Sequence, residues 1–259
     1  MKTEKSINEF INPQDLDIRV INIKKFFKDI KAVDGVSLEI RKGEFIALVG
    51  PNGAGKTTLV EMIEGLQSPD SGEVYIKGKL WKGNEDTLRR ILGISLQETY
   101  FFDKITVLET LNLFASFYGL GEDRIKYILE LVNLDMKSKV YVNNLSGGQK
   151  QKLALGIALL NNAEILLLDE PTTGLDPSSR REIWNILKRL KEQRNISMIL
   201  TTHYMEEAEF LCERIIIMDK GKILAEGQLN KLLSDYSNES NKMNLNDLFL
   251  SMTGRHLDE

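Results

Sequence analysis

The stretch Phe45–Leu66, "FIALVGPNGAGKTTLVEMIEGL", decides the fold. It opens with an apolar run of strand length, and "KTTLVEMIEGL" carries helical spacing at its end. Between them "GPNGAGKT", from Gly50, fits G-x-x-x-x-G-K-[ST] without error. The order strand, glycine loop, helix predicts a phosphate cradle built from Gly50, Asn52, Gly53, Ala54, Gly55, Lys56, Thr57 and Thr58. Backbone N–H groups of Asn52 to Thr57 would surround a β-phosphate, aided by the positive end of the helix. Lys56 would neutralise β/γ-phosphate charge, and the Thr57 hydroxyl would ligate Mg²⁺.

Outward from this stretch, "DIRVINIKKFF" and "VDGVSLEIRKGEF" alternate apolar and polar residues as half-buried strands do, and "SPDSGEVYIKGKLW" returns to strand and turn chemistry. From about Thr106 to Leu160 the pattern becomes helical, in "TVLETLNLFASFYGL", "EDRIKYILELVNL" and "QKQKLALGIALL". Strands and helices then alternate again through "EILLLDE", "SSRREIWNILKRLKEQ", "SMILTTH", "YMEEAEFLC" and "RIIIMDKGKIL". A helical insertion within alternating elements predicts an α/β protein with a mostly parallel sheet and an inserted helical subdomain. The expected boundaries are a tail over 1–17, one domain over 18–227 with its helical part at about 98–160, and a terminal segment over 228–259. Within the last, residues 228–241 are polar and Ser/Asn-rich and read as a loop or linker.

Composition narrows the function classes. The chain has 259 residues, 42% apolar and 28% charged, which suits one folded domain with subdomains. Its net charge of −4 comes without a long basic block, so no nucleic-acid partner is expected. A lone Cys212 leaves no disulfide framework. The start "MKTEKSINEF" has no signal-peptide core, and no apolar run approaches the roughly 18 residues of a membrane span. A soluble chain is expected, with any membrane connection made through a partner.

The acids of "ILLLDEP" complete a hydrolytic set. A buried strand ending in Asp169 would set that carboxylate near Mg²⁺, and Glu170 beside it would orient and deprotonate a water. His203, just past "SMILTT", would lie on the sheet edge facing the γ-phosphate. Gln97, after a short apolar run at the entry to the helical region, has an amide that reaches Mg²⁺ or the attacking water. Phe27 could stack on a purine, with Phe26 competing for the role. A second glycine loop, "NNLSGGQKQ" from Asn143, opens another helix roughly a hundred residues after the first.

Together these residues resemble the nucleotide-binding subunit of ABC transporters over nearly the whole chain. "GPNGAGKTT" is similar to the Walker A loop, "LQ" at Leu96–Gln97 to the Q-loop, and "LSGGQKQ" to the family signature. "ILLLDEP" resembles Walker B with its catalytic glutamate, "GLD" ending at Asp176 the D-loop, and "TTH" the switch histidine. The departures are Phe27, where tyrosine is frequent, and Lys150 and Lys152, where arginine is common. The resemblance implies a P-loop NTPase with a RecA-like core, an antiparallel β subdomain and the helical insertion. It also answers why there are two glycine loops. In this family the signature (Leu145, Ser146, Gly147, Gly148, Gln149) closes over ATP held by a second subunit, so each active site is shared by two chains.

"TLVEMIEGLQSPDSG", "LQETYFFDKITVLETLNLFASFYG" and the tail "LNDLFLSMTGRHLDE" resemble drug-exporter subunits of the ABC-2 type, with Asn246 where an acid is expected. The implied function is ATP hydrolysis coupled to export by separate transmembrane permease subunits, on the cytoplasmic face of the membrane. The rival is a non-transport ABC ATPase of the translation or DNA-repair type. Against it stand a single cassette and the lack of a long coiled-coil insertion.

Overall fold

The computed structural model describes residues 15–97, 99–193, 195–236 and 243–254. It begins with strands β1 (Leu16–Phe27), β2 (Ile30–Arg41) and β3 (Phe45–Val49), then helix α1 (Lys56–Glu64), β4 (Ser71–Ile76), β5 (Lys79–Leu80), α2 (Glu85–Arg89) and β6 (Leu92–Ser95). The helical part follows as α3 (Val107–Phe117), α4 (Glu122–Leu131) and α5 (Gly147–Leu159). After it come β7 (Ile165–Asp169), α6 (Pro177–Gln193), β8 (Ser197–Thr202), α7 (Met205–Leu211), β9 (Arg214–Asp219) and β10 (Lys222–Gln228). Two helices, α8 (Leu229–Tyr236) and α9 (Leu245–Thr253), end the described chain.

Two sheets organise these elements. Six strands run in the order β10-β9-β3-β8-β7-β6, all parallel except β10 against β9. Four others form an antiparallel sheet, β2-β1-β4-β5. Strands β3, β7 and β8 are buried along their whole length, which is why "FIALV", "ILLLD" and "SMILTT" read as continuous runs and not as alternation.

The two-residue period of a strand splits the core in two. Ile46 and Leu48 of β3 join Leu167, Ile199 and Ile216 in a cluster with α1 and the antiparallel sheet. Phe45, Ala47 and Val49 point the other way, into a cluster with Leu168, Leu200 and Ile217 and with side chains from α3 to α9. Helix α1 is thus held between the sheets, and its first residue follows β3 by a loop of six.

The local signals at the helix ends are explicit. Thr106 and Glu109 form a capping box on α3, as do Asn244 and Asp247 on α9. Asp176 accepts from the backbone N–H groups of Ser178 and Ser179 at 3.0 and 3.1 Å, with Pro177 opening α6 as its first residue.

One expectation is corrected. Residues 229–236, read as part of a polar linker, form α8, because Leu229, Leu232 and Leu233 recur at helical spacing and pack on the larger core. The composition of the stretch hid three leucines on one face. Leu245, Leu248 and Phe249 of α9 are buried in the same cluster. At the other end β1 already includes Leu16 and Asp17, where Asp17 accepts from Ser197 Oγ at 2.5 Å; the rest of the tail expected over 1–17 lies mostly outside the described residues.

Candidate active site

Four neighbouring strands of the parallel sheet, β3, β8, β7 and β6, end on the same edge. They deliver, in that order, the glycine loop, His203, the Asp169–Glu170 pair and Gln97. The carboxyl ends of parallel strands are where α/β sheets bind ligands, since chain reversals there leave a crevice.

The glycine loop is constrained by close backbone approach. Gly55 sits at φ 98°, and a Cβ there would lie 2.1 Å from the Ala32 carbonyl oxygen. Gly50 is equally tight, at 2.3 Å from the Met218 carbonyl oxygen. No side chain fits either place, so the loop's backbone is held against β2 and β9. Lys56 is buried and donates to the carbonyls of Gly50 and Pro51 at 2.8 and 3.2 Å. Burial lowers its pKa, against the opposing charges of Glu170 and Asp169.

Asp169 joins the two halves of the crevice. Its Oδ2 accepts from Thr57 Oγ1 at 3.0 Å, and its Oδ1 accepts from Thr201 Oγ1. Glu170 follows with a left-handed backbone, φ 47°, which costs a non-glycine residue of order 1–3 kcal/mol unless its surroundings hold it there. Those surroundings are visible: Glu170 N donates to Thr201 Oγ1 at 3.0 Å and to the Thr201 carbonyl at 3.2 Å. The result aims a nearly buried carboxylate into the crevice. Its Oε2 accepts from Gln97 Nε2 at 3.2 Å and Thr173 Oγ1 at 3.0 Å. Lys56 Nζ stands 3.9 Å from Oε1. His203 Nδ1 is buried 3.3 Å from Oε2 and makes no hydrogen bond among the described residues.

The structure therefore brings together Lys56, Thr57, Asp169, Glu170, Gln97 and His203. It does not bring the signature to them. Ser146 caps α5, its Oγ accepting from Gln149 N at 3.3 Å, while Gln149 Oε1 accepts from Ser146 N at 3.1 Å. Gly148 packs on α6, where a Cβ would lie 2.6 Å from Ser179 Oγ, and Lys152 pairs with Glu182 of the same helix. Leu145 and Gly148 are buried, whereas Ser146 and Gly147 face solvent. Asp176 lies at the start of α6, its pKa lowered chiefly by the Ser179 side-chain hydrogen bond. Phe26 and Phe27 end β1 at 39% and 44% exposure, so neither ring belongs to the core. Lys25 Nζ lies 5.7 Å from the centre of the Phe27 ring.

Thr173 and Thr201 were absent from the residues picked out in the sequence. Each is a threonine next to a motif, in "DEPTTG" and "LTTH", and a hydroxyl beside a polar residue at a strand end is the signal that could have found them.

The donor set fits a phosphate and a hard cation. A buried ammonium now bonded to its own loop carbonyls can turn to phosphate oxygens. A hydroxyl and a carboxylate 3.0 Å apart suit Mg²⁺, which takes one or two protein oxygens and fills its shell with water and phosphate. No group of three or more His, Cys, Asp or Glu that could cage a metal occurs among the described residues, and Mg²⁺ needs none.

A strand–glycine loop–helix unit with adjacent carboxylates at the sheet edge defines a nucleoside-triphosphate-hydrolysing protein. Comparison with known proteins narrows the class. The ABC transporter family model matches residues 33–173. The chain is 39% identical over 223 residues to the Nod factor export ATP-binding protein I of Rhizobium sp. (strain N33), covering 85% of this chain and 73% of the relative. It is also 39% identical over 217 residues to the linearmycin resistance ATP-binding protein LnrL of Bacillus subtilis (strain 168), covering 82% and 70%. Among solved structures, a dimeric bacterial ABC transporter cassette superposes with TM-score 0.75 at 33% identity, over 82% of this chain and 98% of that one. A post-hydrolysis dimer of that cassette bound to ADP and Pi gives TM-score 0.74 at 32% identity and the same coverage. The chain belongs to the ABC transporter family. It is an ATP-binding ATPase subunit with a mixed α/β P-loop fold.

Proposed function

We propose that the chain is the ATP-hydrolysing subunit of a membrane exporter, working as a dimer beneath separate permease subunits on the inner face of the membrane. The observation that carries this is the cluster on Glu170: one carboxylate oxygen faces Gln97, Thr173 and His203, beside a buried Lys56. Lys56 and the loop N–H groups bind the phosphates, and Phe27 stacks on the base. Thr57 and Asp169 would hold Mg²⁺, with Gln97 as a further candidate ligand, and the ion would balance phosphate charge. Glu170 takes the proton of the attacking water, and His203 steadies that water and the γ-phosphate by hydrogen bonding. Ser146, Gly147, Gly148 and Gln149 contribute to the site of the second subunit, with Asp176 beside them at the start of α6.

Export is supported by the relatives, whose names specify Nod factor export and linearmycin resistance. No helix among the described residues is long and apolar enough to cross a membrane. Aromatic side chains of the helical subdomain and its entry, Tyr100, Phe102 and Phe117, are 67–87% accessible, which suits contact with a permease segment.

Complementation tests the shared site. Lys56→Ala damages the first loop and Ser146→Arg the second, so each mutant dimer has two defective sites. A mixed dimer, isolated with two affinity tags, joins one intact first loop to one intact signature across the interface. That dimer is expected to trap ATP where neither parent does. Verified mixed dimers that never occlude ATP, beside wild-type dimers that do, would place the signature's work within its own chain.

A further inference from the structure

Glu207 on α7 has no part in the chemistry described above, yet it is fully buried, at 0% exposure. Its Oε1 accepts two hydrogen bonds of 2.8 Å, from Thr172 Oγ1 and from Trp184 Nε1. These donors come from separate places. Thr172 lies two residues beyond Glu170, Trp184 lies in the middle of α6, and Glu207 itself lies four residues beyond His203. A second tie runs parallel to the first: the Arg180 guanidinium of α6 lies 3.9 Å from the ring centre of Tyr204, which lies 4.1 Å from that of His203.

Burying a carboxyl is costly, and burial pushes this one above its ordinary pKa. An apolar side chain would fill the same space without that cost. What an apolar side chain lacks is one oxygen that holds two donors on different elements. Glu170 needs such restraint, because its left-handed backbone persists only where neighbours over-determine it.

We propose that Glu207 is a positioning residue: by holding Thr172 and Trp184 on one oxygen, it sets the Glu170 loop and the His203 loop in register on α6. It touches no reacting atom. The proposal rests on the reading of Glu170 and His203 as the hydrolytic pair.

The test uses the full chain with four variants, Thr172→Val, Glu207→Leu, Glu207→Gln and, as a reference, Glu170→Gln. Steady-state ATP hydrolysis gives kcat and KM, and thermal melting reports folding. Thr172→Val and Glu207→Leu are expected to lower kcat by about 10- to 100-fold, the scale of a misplaced reacting group, with KM changed less than about twofold. Glu207→Gln keeps the acceptor oxygen and is expected to stay within about threefold of wild type, which a requirement for charge would not produce, while Glu207→Leu, which fills the space without an acceptor, excludes a requirement for bulk alone. If Glu207→Leu fails to fold, Thr172→Val decides alone, since it keeps the shape and removes one donor. Folded Thr172→Val with wild-type kcat overturns the proposal, as does Glu207→Gln as slow as Glu207→Leu. Loss of kcat that follows the unfolded fraction overturns it too. Glu170→Gln separates the two readings: if it is inactive while Thr172→Val is fast, only the role of Glu207 falls. If Glu170→Gln turns over normally, the hydrolytic pair itself is wrong and both readings fall.

Discussion

Two glycine-rich loops open two helices in this chain, and they are built in opposite ways. The first, ahead of α1, is pinned by backbone contacts to β2 and β9, and Lys56 is buried among groups of its own chain. The second, ahead of α5, leaves Ser146 and Gly147 in solvent and satisfies its polar groups with a capping box on itself. Both present a helix N-terminus, so both suit an anion. The difference lies in what fixes each backbone: the first loop is anchored at Gly50 and Gly55 while Asn52, Gly53 and Thr57 stay exposed, whereas the second is held by its own cap and by Gly148 packing on α6. On the function proposed above, the anchored loop positions phosphates for its own chain and the self-capped one meets a second chain.

Glu170→Gln is the largest break in the region of the first loop. It keeps size and hydrogen bonding but removes the base, so hydrolysis is expected to fall about 10²–10⁴-fold with ATP binding near wild type. Turnover and the mass of the ATP-bound form on a sizing column check this, because a closed dimer that cannot discharge should last longer. Near-normal turnover would remove Glu170 from the role.

The rim of that region gives a smaller effect. Phe27→Ala is expected to weaken nucleotide binding by roughly 1–3 kcal/mol through loss of a stacking contact. Phe26→Ala should leave affinity nearly unchanged and act mainly on stability, only slightly given its exposure. Titration of both variants with a fluorescent nucleotide decides between the rings, and a reversal would assign the base to Phe26.

At the second loop, Ser146→Ala removes the cap of α5. The expected cost is about 1 kcal/mol of stability, or roughly 2–4 °C in Tm for a chain of this size. ATP affinity of the isolated chain should not change, because its own nucleotide sits in the other loop. A drop in monomer affinity would erase the distinction between the loops.

A pH-dependent effect comes from an acid behind the first loop. Glu64 on α1 is buried with neither oxygen hydrogen-bonded among the described residues, and burial, followed by the charges of Asp169 and Glu61, pushes its pKa up to about 8. Between its ordinary 4.5 and about 8, the folded state keeps a proton that the unfolded chain has lost. Stability therefore falls as pH rises through that window. Glu64→Gln should melt like wild type near pH 4.5 and on the order of 10 °C higher near pH 8, without nucleotide. Equal melting curves at both pH values would show that Glu64 ionises without penalty.

The sequence alone determined the strand–loop–helix unit, the parallel strands and the identities of Lys56, Asp169, Glu170 and His203. Each of those is written locally, in an apolar run that ends at a glycine loop or a polar residue. It also carried the helical insertion, through apolar spacing in α3 to α5. It misled at α8, where serines and asparagines masked Leu229, Leu232 and Leu233. Only the tertiary structure decided what meets Glu170. Gln97, Thr201 and His203 reach it or its backbone because β6, β7 and β8 are adjacent in the sheet, a pairing between segments up to about seventy residues apart, while Thr173 reaches it from three residues along the same loop. Strand order depends on how two apolar faces are buried at once, against α1 on one side and the larger set of helices on the other. No local pattern encodes that order, and so the network on Glu207, which spans three elements, could not be read before the chain was folded.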